Sequence, residues 1–263
     1  MKAMTHDEQR VYLIKYLLAE DRRYDGTPIP ADGEGQRRLL RALMNLRMPE
    51  PISDDFLKIQ DEYLSYERDA GEITDAMSLH EACGDSRIAL WQGDITALRA
   101  DAIVNAANSA LLGCFRPLHS CIDNVIHSKS GVELRLCCNE LMKKQGCAEP
   151  TGRAKITPGF NLPCKYVLHT VGPIIDGEVT QNHRKLLASC YRSCLKLASE
   201  NGCRSVAFCC ISTGVFHFPS EEAAEIAVTA VREFLASDDT VKRVVFDVFR
   251  DEDREIYERL LNK

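Results

Sequence analysis

Positive charge is scarce in this chain: 33 Lys and Arg stand against 39 Asp and Glu in 263 residues, a formal net charge of −6. A surface for nucleic acid or for an anionic membrane needs Lys and Arg gathered on one face, so both partner classes are set aside. A local anion site stays open. Long apolar runs are missing as well, and no stretch approaches the length of a membrane span. Segment 11–19 is apolar enough to suggest a signal core. Lys15 interrupts it, however, Asp7 and Glu8 precede it and no small-residue cleavage site follows, so export is not expected. With one Trp, no internal repeat, no low-complexity tract and no heptad run, the chain reads as ordinary and globular, large enough for one full domain and a smaller appendage.

Cysteine is plentiful. Twelve Cys in a chain expected to be cytoplasmic read as reduced thiols rather than a disulfide framework. Cys137, Cys138, Cys190, Cys194, Cys209 and Cys210 fall in apolar segments, where free Cys serves as a small hydrophobe. Cys190 and Cys194 are spaced to share a helix face, but no His or carboxylate pattern supports a metal there.

Periodicity divides the chain near residue 80. Segments 5–20, 35–47 and 53–70 carry helical spacing; Thr5 or Asp7 caps the first, and Pro49 and Pro51 close off the second. From Arg87 the texture changes to short apolar runs at 88–91, 102–104, 154–157, 166–171, 205–211 and 244–248, which read as strands. Helix candidates lie between and after them at 120–128, 132–145, 181–201, 220–236 and 251–262. Such alternation predicts an α/β sandwich whose central strands are apolar on both faces, with ligands at the strands' carboxyl ends. The expected division is a helical extension over 1–80 and an α/β domain over 81–263.

Three strand ends carry polar loops: Gly93-Asp94-Ile95-Thr96, Asn105-Ala106-Ala107-Asn108, and Ile211-Ser212-Thr213-Gly214-Val215-Phe216-His217-Phe218-Pro219. In the last, a glycine turn feeds a helix with Pro219 near its first position. That arrangement can aim free backbone N–H groups at a phosphate or diphosphate, helped by the helix dipole.

With Tyr166-Val167-Leu168-His169-Thr170-Val171-Gly172-Pro173 between the second and third loops, these motifs stand in the order of the macrodomain family, which the chain resembles over 85–263. The resemblance implies a three-layer α/β/α sandwich with a mixed central sheet, binding ADP-ribose. It assigns Asp94 to the adenine amino group with the Ile95 backbone nearby. Ser212, Thr213, Gly214, Val215 and Phe216 would wrap the diphosphate, Phe216 also packing on the distal ribose. Asn108 would contact that sugar, and Asn105 would either contact ligand or hold local backbone. His169, inside a strand, reads as a satisfied core histidine.

In the commonest hydrolytic macrodomains a run of glycines follows Asn-Ala-Ala-Asn. Here the segment is Gly113-Cys114-Phe115-Arg116-Pro117-Leu118-His119-Ser120-Cys121. Cys114, His119 and Cys121 suit a borderline-soft metal, and a Cys₂His set leaves the fourth tetrahedral position open, as in catalytic zinc sites. On a helix His119 and Cys121 would point apart, so a loop is expected, with a helix beginning near Ser120 and Cys121 in its first turn. Buried thiols or a redox pair are the alternative readings of the two cysteines.

This loop together with the helical extension resembles the zinc-dependent macrodomains, a microbial branch linked to class M sirtuins. The resemblance implies one Zn²⁺ per chain and a hydrolase that removes mono-ADP-ribose from modified protein side chains, reversing sirtuin-type ADP-ribosylation. It suggests a lipoylated carrier related to the glycine-cleavage H protein as the modified partner. The metal would bind a hydroxyl of the distal ribose. Asp123 aligns with the aspartate placed beside that sugar and is the candidate base; a helix-start carboxylate bonding backbone N–H groups is the bland reading. Asn108 and Asn124 complete the catalytic candidates, and His127, one turn on, is expected to pack. The rivals are a non-catalytic ADP-ribose reader, an O-acetyl-ADP-ribose deacylase, and a helical adaptor acting through residues 1–80.

Overall fold

Thr5, Asp32 and Ser53 each start a helix by accepting a backbone N–H three residues on, from Glu8, Gly35 and Phe56, and Glu8 returns a carboxylate to Thr5 as a capping box. In the computed structural model, which describes residues 4–82 and 85–262, these helices are α1 (His6–Ala19), α2 (Gly33–Leu46) and α3 (Asp54–Asp69). Their inward residues Leu13, Ile14, Leu17, Leu40, Leu43, Met44, Phe56, Tyr63 and Leu64 close a small core, which Val132 of the α/β part also joins.

The strands are β1 (Thr74–Asp75), β2 (Glu81–Ala82), β3 (Asp85–Gln92), β4 (Leu98–Arg99), β5 (Ala102–Ala106), β6 (Ala154–Pro158), β7 (Tyr166–Thr170), β8 (Ser205–Phe208) and β9 (Arg243–Val248). The further helices are α4 (Ile122–Ser130), α5 (Val132–Gln145), α6 (Gln181–Glu200), α7 (Ser220–Leu235) and α8 (Asp251–Leu261). β1 and β4 form a short parallel ladder of their own, and the main sheet runs β2-β3-β9-β8-β5-β7-β6. Its five inner strands are parallel and its two edge strands antiparallel, so the expected mixed sheet and α/β/α layering are present. β8 and β9 are buried throughout, which is why apolar residues dominate them.

Helices α6, α7 and α8 pack side by side, while α4 lies on β5, α5 on β6, and α2 against α4. Among the described residues every cysteine is free, and no helix is long and apolar enough to cross a membrane. Three boundaries differ from expectation in ways that shape the site. The strand expected over 205–211 stops at Phe208, because residues from Cys209 leave the sheet for the ligand loop. β5 runs on to Ala106 and carries Asn105 into the interior. The helix expected from Ser120 begins at Ile122, with Cys121 as its N-cap.

Candidate active site

All five parallel strands end at one edge of the sheet, and loops 93–97, 107–121, 171–180 and 209–219 leave from it. Loop 209–219 is folded by its own backbone: Phe218 N donates to Ser212 O (3.0 Å), His217 N to Gly214 O (3.0 Å) and Ile175 N to Phe216 O (2.9 Å). Ser212 and His217 sit at φ 67° and 58°, in the left-handed region that side chains disfavour. Among the described residues the N–H groups of Thr213, Gly214, Val215 and Phe216 donate to no protein acceptor, so they form a run of free donors suited to an anion. The buried Ser212 hydroxyl is also without a partner. Gly172 fits closely beside it: a Cβ there would stand 2.0 Å from Ser212 Oγ and 2.9 Å from Ile211 Cγ2, so the hydroxyl would have to turn away and Ile211 give way.

At the other end of the cleft edge, Asp94 caps the short turn that follows β3. Its Oδ1 accepts from Thr96 N (2.9 Å) and Thr96 Oγ1 (2.6 Å), which leaves Oδ2 for a ligand amine. Phe249, 81% exposed, leaves β9 beside this turn, where Gly93 N donates to Val248 O and Gln92 Nε2 to Phe249 O. An aromatic side chain that exposed, leaving the sheet beside the turn that Asp94 caps, suits a purine; its place just after a strand is the signal for it in the sequence. Asp247 lies buried nearby with Oδ1 unpartnered. Burial, and then the charge of Asp94, push its carboxyl up to about 8.

Asp123, the candidate base, is buried at the start of α4. Its Oδ1 accepts from Asn105 Nδ2 (2.8 Å) and its Oδ2 from Asn108 Nδ2 (3.2 Å), so it is held by side chains and not by the helix-start backbone. Burial pushes its carboxyl up to about 6, while Asn105, Arg135 and Asn108 pull the other way. Asn105 also meets His169 Nδ1 at 3.2 Å; with Thr157 Oγ1 2.9 Å from Nε2, the imidazole is satisfied as a neutral tautomer, and burial lowers its pKa to about 4. Asn105 therefore braces side chains rather than local backbone. His127 packs as expected: burial, then His169 and Arg135, keep it neutral, and Nε2 stands 3.6 Å from Asp123 Oδ1. Its ring lies directly under Gly113, where a Cβ would come within 2.8 Å of it. His127, Cys138 and His169 could geometrically share an ion, but they are core groups beneath Asp123, walled from solvent.

The loop ahead of Asp123 gathers the three soft donors. Cys114 Sγ is 3.7 Å from His119 Nδ1, and the ligand atoms of Cys114, His119 and Cys121 all lie within 4.8 Å of one another. Donors around a tetrahedral zinc stand about 3.5–3.8 Å apart, so a small inward adjustment would seat an ion. As N-cap, Cys121 has extended backbone and makes no capping bond, which frees its thiol. Burial pushes that thiol up to about 11, and the neighbouring Cys114 adds to the cost of charging it, so Cys121 favours the thiolate only with a cation beside it. The donor set fits zinc. Asn124, expected among the catalytic groups, is engaged elsewhere: Nδ2 donates to the carbonyls of Cys114 (3.2 Å) and Arg116 (2.9 Å), and Oδ1 accepts from Arg41 and Ser128. With its amide fully used between the loop, α2 and α4, it is a brace.

Comparison with known proteins agrees with this geometry. The Macro domain profile matches residues 104–227. Over 261 residues the chain is 52% identical to a protein-ADP-ribose hydrolase of Treponema medium, covering 98% of this chain and all of that one. A protein-ADP-ribose hydrolase of Staphylococcus aureus is 47% identical over 265 residues, covering 100% of this chain and 99% of the other. Among solved structures, a Trypanosoma brucei macrodomain in complex with ADP-ribose superposes with a TM-score of 0.67 at 32% identity, over 84% of this chain and 94% of that one. With full-length relatives at this identity and the sheet, loops and cleft in place, this chain belongs to the macrodomain family.

Proposed function

We propose that this chain is a zinc-dependent hydrolase that releases ADP-ribose from mono-ADP-ribosylated protein side chains. The observation that carries the reading is the meeting of Cys114, His119 and Cys121 immediately ahead of the buried Asp123, at the end of the cleft away from Asp94. The relatives' names support the activity, and the solved ADP-ribose complex supports the ligand.

In this reading Asp94 Oδ2 takes the adenine amino group, the Ile95 backbone lies alongside and Phe249 stacks on the ring. The free N–H groups of 213–216 and the Ser212 hydroxyl hold the diphosphate, and Phe216 covers the distal ribose. Asn108, anchored through Gly113 O and Asp123, marks where that sugar sits. Hydrolysis breaks the bond between the anomeric carbon and the acceptor atom and puts a water oxygen in its place. Asp123 orients that water and accepts its proton, its carboxyl placed near neutrality by burial. Zinc held by Cys114, His119 and Cys121 supplies, when bound, a fixed point and moderate Lewis acidity for a ribose hydroxyl.

The resemblance to sirtuin-linked members selects the substrate to try: a lipoylated glycine-cleavage H-like carrier, modified by a class M sirtuin. Incubated with it, the chain releases free ADP-ribose, a chelator stops the release, and zinc restores it. Cys121→Ala loses most of its metal and at least 100-fold in rate. Retention of the intact modified protein identifies a reader, and preferential cleavage of O-acetyl-ADP-ribose identifies a deacylase. Full activity of Cys121→Ala without metal removes the zinc reading.

A further inference from the structure

The contacts between α2 and the α/β part converge on one place, the backbone of the loop carrying Cys114, His119 and Cys121. Arg41 Nη2 donates to His119 O (2.8 Å) and to Asn124 Oδ1 (2.8 Å). Asn124 passes that hold onward, since its Nδ2 grips the carbonyls of Cys114 and Arg116. Asn45 Oδ1 accepts from Leu118 N (3.0 Å), and its Nδ2 donates to Ser128 Oγ (2.9 Å) on α4. Leu118 stands at φ 57°, which costs a branched side chain about 1–2 kcal/mol and persists only where the surroundings enforce it. Arg135 of α5 closes the circuit by donating to Leu112 O ahead of the loop and to Met44 O at the end of α2, with its guanidinium 4.4 Å from the centre of the Phe115 ring.

We propose that the helical extension is part of the metal centre: Arg41 and Asn45 of α2 are positioning residues that set how tightly Cys114, His119 and Cys121 hold an ion. The proposal rests on the metal reading above. Its physical basis is that a loop with eight residues from the first ligand to the last, one in a left-handed conformation, loses entropy when three side chains must converge. Bonds from a rigid helix to the carbonyl of His119, to the N–H of Leu118 and, through Asn124, to the carbonyl of Cys114 remove that freedom before the ion arrives. Both bonds leave a single nitrogen, Arg41 Nη2; a lysine ammonium has enough N–H groups for two acceptors but sits on a shorter stem and does not carry them as far. The extension is then required for the site and not an independent adaptor.

The test compares the full chain with Arg41→Leu, Arg41→Lys and, as a control, Leu17→Ala, which loosens the small core of the extension without touching the loop. Zinc affinity is measured by competition with a chromophoric chelator, ADP-ribose affinity by calorimetry, and kcat and KM on the modified carrier. Arg41→Leu should weaken zinc roughly 10–100-fold, the range for groups that orient metal ligands, and lower kcat with little change in KM or in ADP-ribose affinity. Arg41→Lys should fall between it and the unaltered chain. Leu17→Ala should lower the melting temperature while binding zinc normally well below it. If Arg41→Leu does not fold, Arg41→Lys and Asn45→Ser carry the same comparison. Equal zinc affinity in the folded Arg41 and Asn45 variants overturns the proposal and leaves the metal reading standing; absence of zinc binding by the unaltered chain sinks both.

Discussion

Asp123 and Asp247 are both buried carboxyls, yet their surroundings set them to different tasks. Asp123 has an amide donor on each oxygen. If Asp123 is the base proposed above, Asp123→Asn keeps the side-chain volume and removes it, so kcat for ADP-ribose release should fall about 10²–10⁴-fold while ADP-ribose still binds; single-turnover release and calorimetry check the two halves. Asp247 has an unpartnered oxygen and the charge of Asp94 beside it, and its carboxyl stays protonated up to about pH 8. The unfolded chain releases that proton near pH 4. The stability this group contributes is therefore fully present below about pH 4 and drains away as pH rises to about 8. Asp247→Asn has no proton to lose, so relative to the unaltered chain it should gain roughly 2–5 kcal/mol at pH 8, shrinking to nothing near pH 4, as read by urea denaturation across pH. The soft donors were visible in the sequence because residue type and spacing announce their chemistry, and Asp123 because it aligns with an aspartate of the family that the chain resembles. Asp247 was not: an aspartate inside an apolar strand reads as an interruption until burial and a neighbouring charge are known.

At the scale of elements, the candidate site sits in the loops at the carboxyl edge of the sheet, and loop 209–219 leaves a run of backbone N–H groups free. Gly172 belongs to one loop and protects another, because its missing Cβ is the space that the Ser212 hydroxyl occupies. Gly172→Ala should push loop 209–219 out of shape, lowering ADP-ribose affinity at least about tenfold with a smaller effect on melting temperature, measured by calorimetry and thermal unfolding. Loop 209–219 was legible because its signal is contiguous: glycine, then proline, then a helix. The start of α4 was not. Spacing placed it near Ser120, whereas Cys121 takes the extended N-cap conformation that leaves its thiol available. Asn124 shows the same limit, since a polar residue beside a candidate base reads as catalytic until its hydrogen bonds are seen to be spent on the loop, on Arg41 and on Ser128.

Across the whole molecule, the two apolar clusters are joined by polar bridges that reach far along the chain. Val132 N donates to Gln60 Oε1 at the boundary of α3 and α5, Asn45 and Arg41 hold α4 and its preceding loop, and Arg68 Nη1 reaches Asn161 O. Several of these groups are buried, so separating the clusters would strip their hydrogen bonds, each costing about 1–3 kcal/mol. Helical extension and sheet should therefore unfold as one unit. Trp91 reports from β3 and far-ultraviolet circular dichroism is dominated by the helices, so heating the chain should give coincident transitions by fluorescence and dichroism. Two separated transitions would show that the extension melts alone.

From sequence by itself came the layered fold, the order of the ligand loops, and the identity of the donors, because periodicity, turn chemistry and residue type are local properties of neighbours along the chain. Tertiary structure alone decided which groups meet across long separations: Arg41 with His119, Asn105 with Asp123 and His169, Gly172 with Ser212. It also decided which carboxyls stay protonated. Both follow from burial and from the packing of elements distant in sequence, and neither quantity exists until the chain has closed on itself.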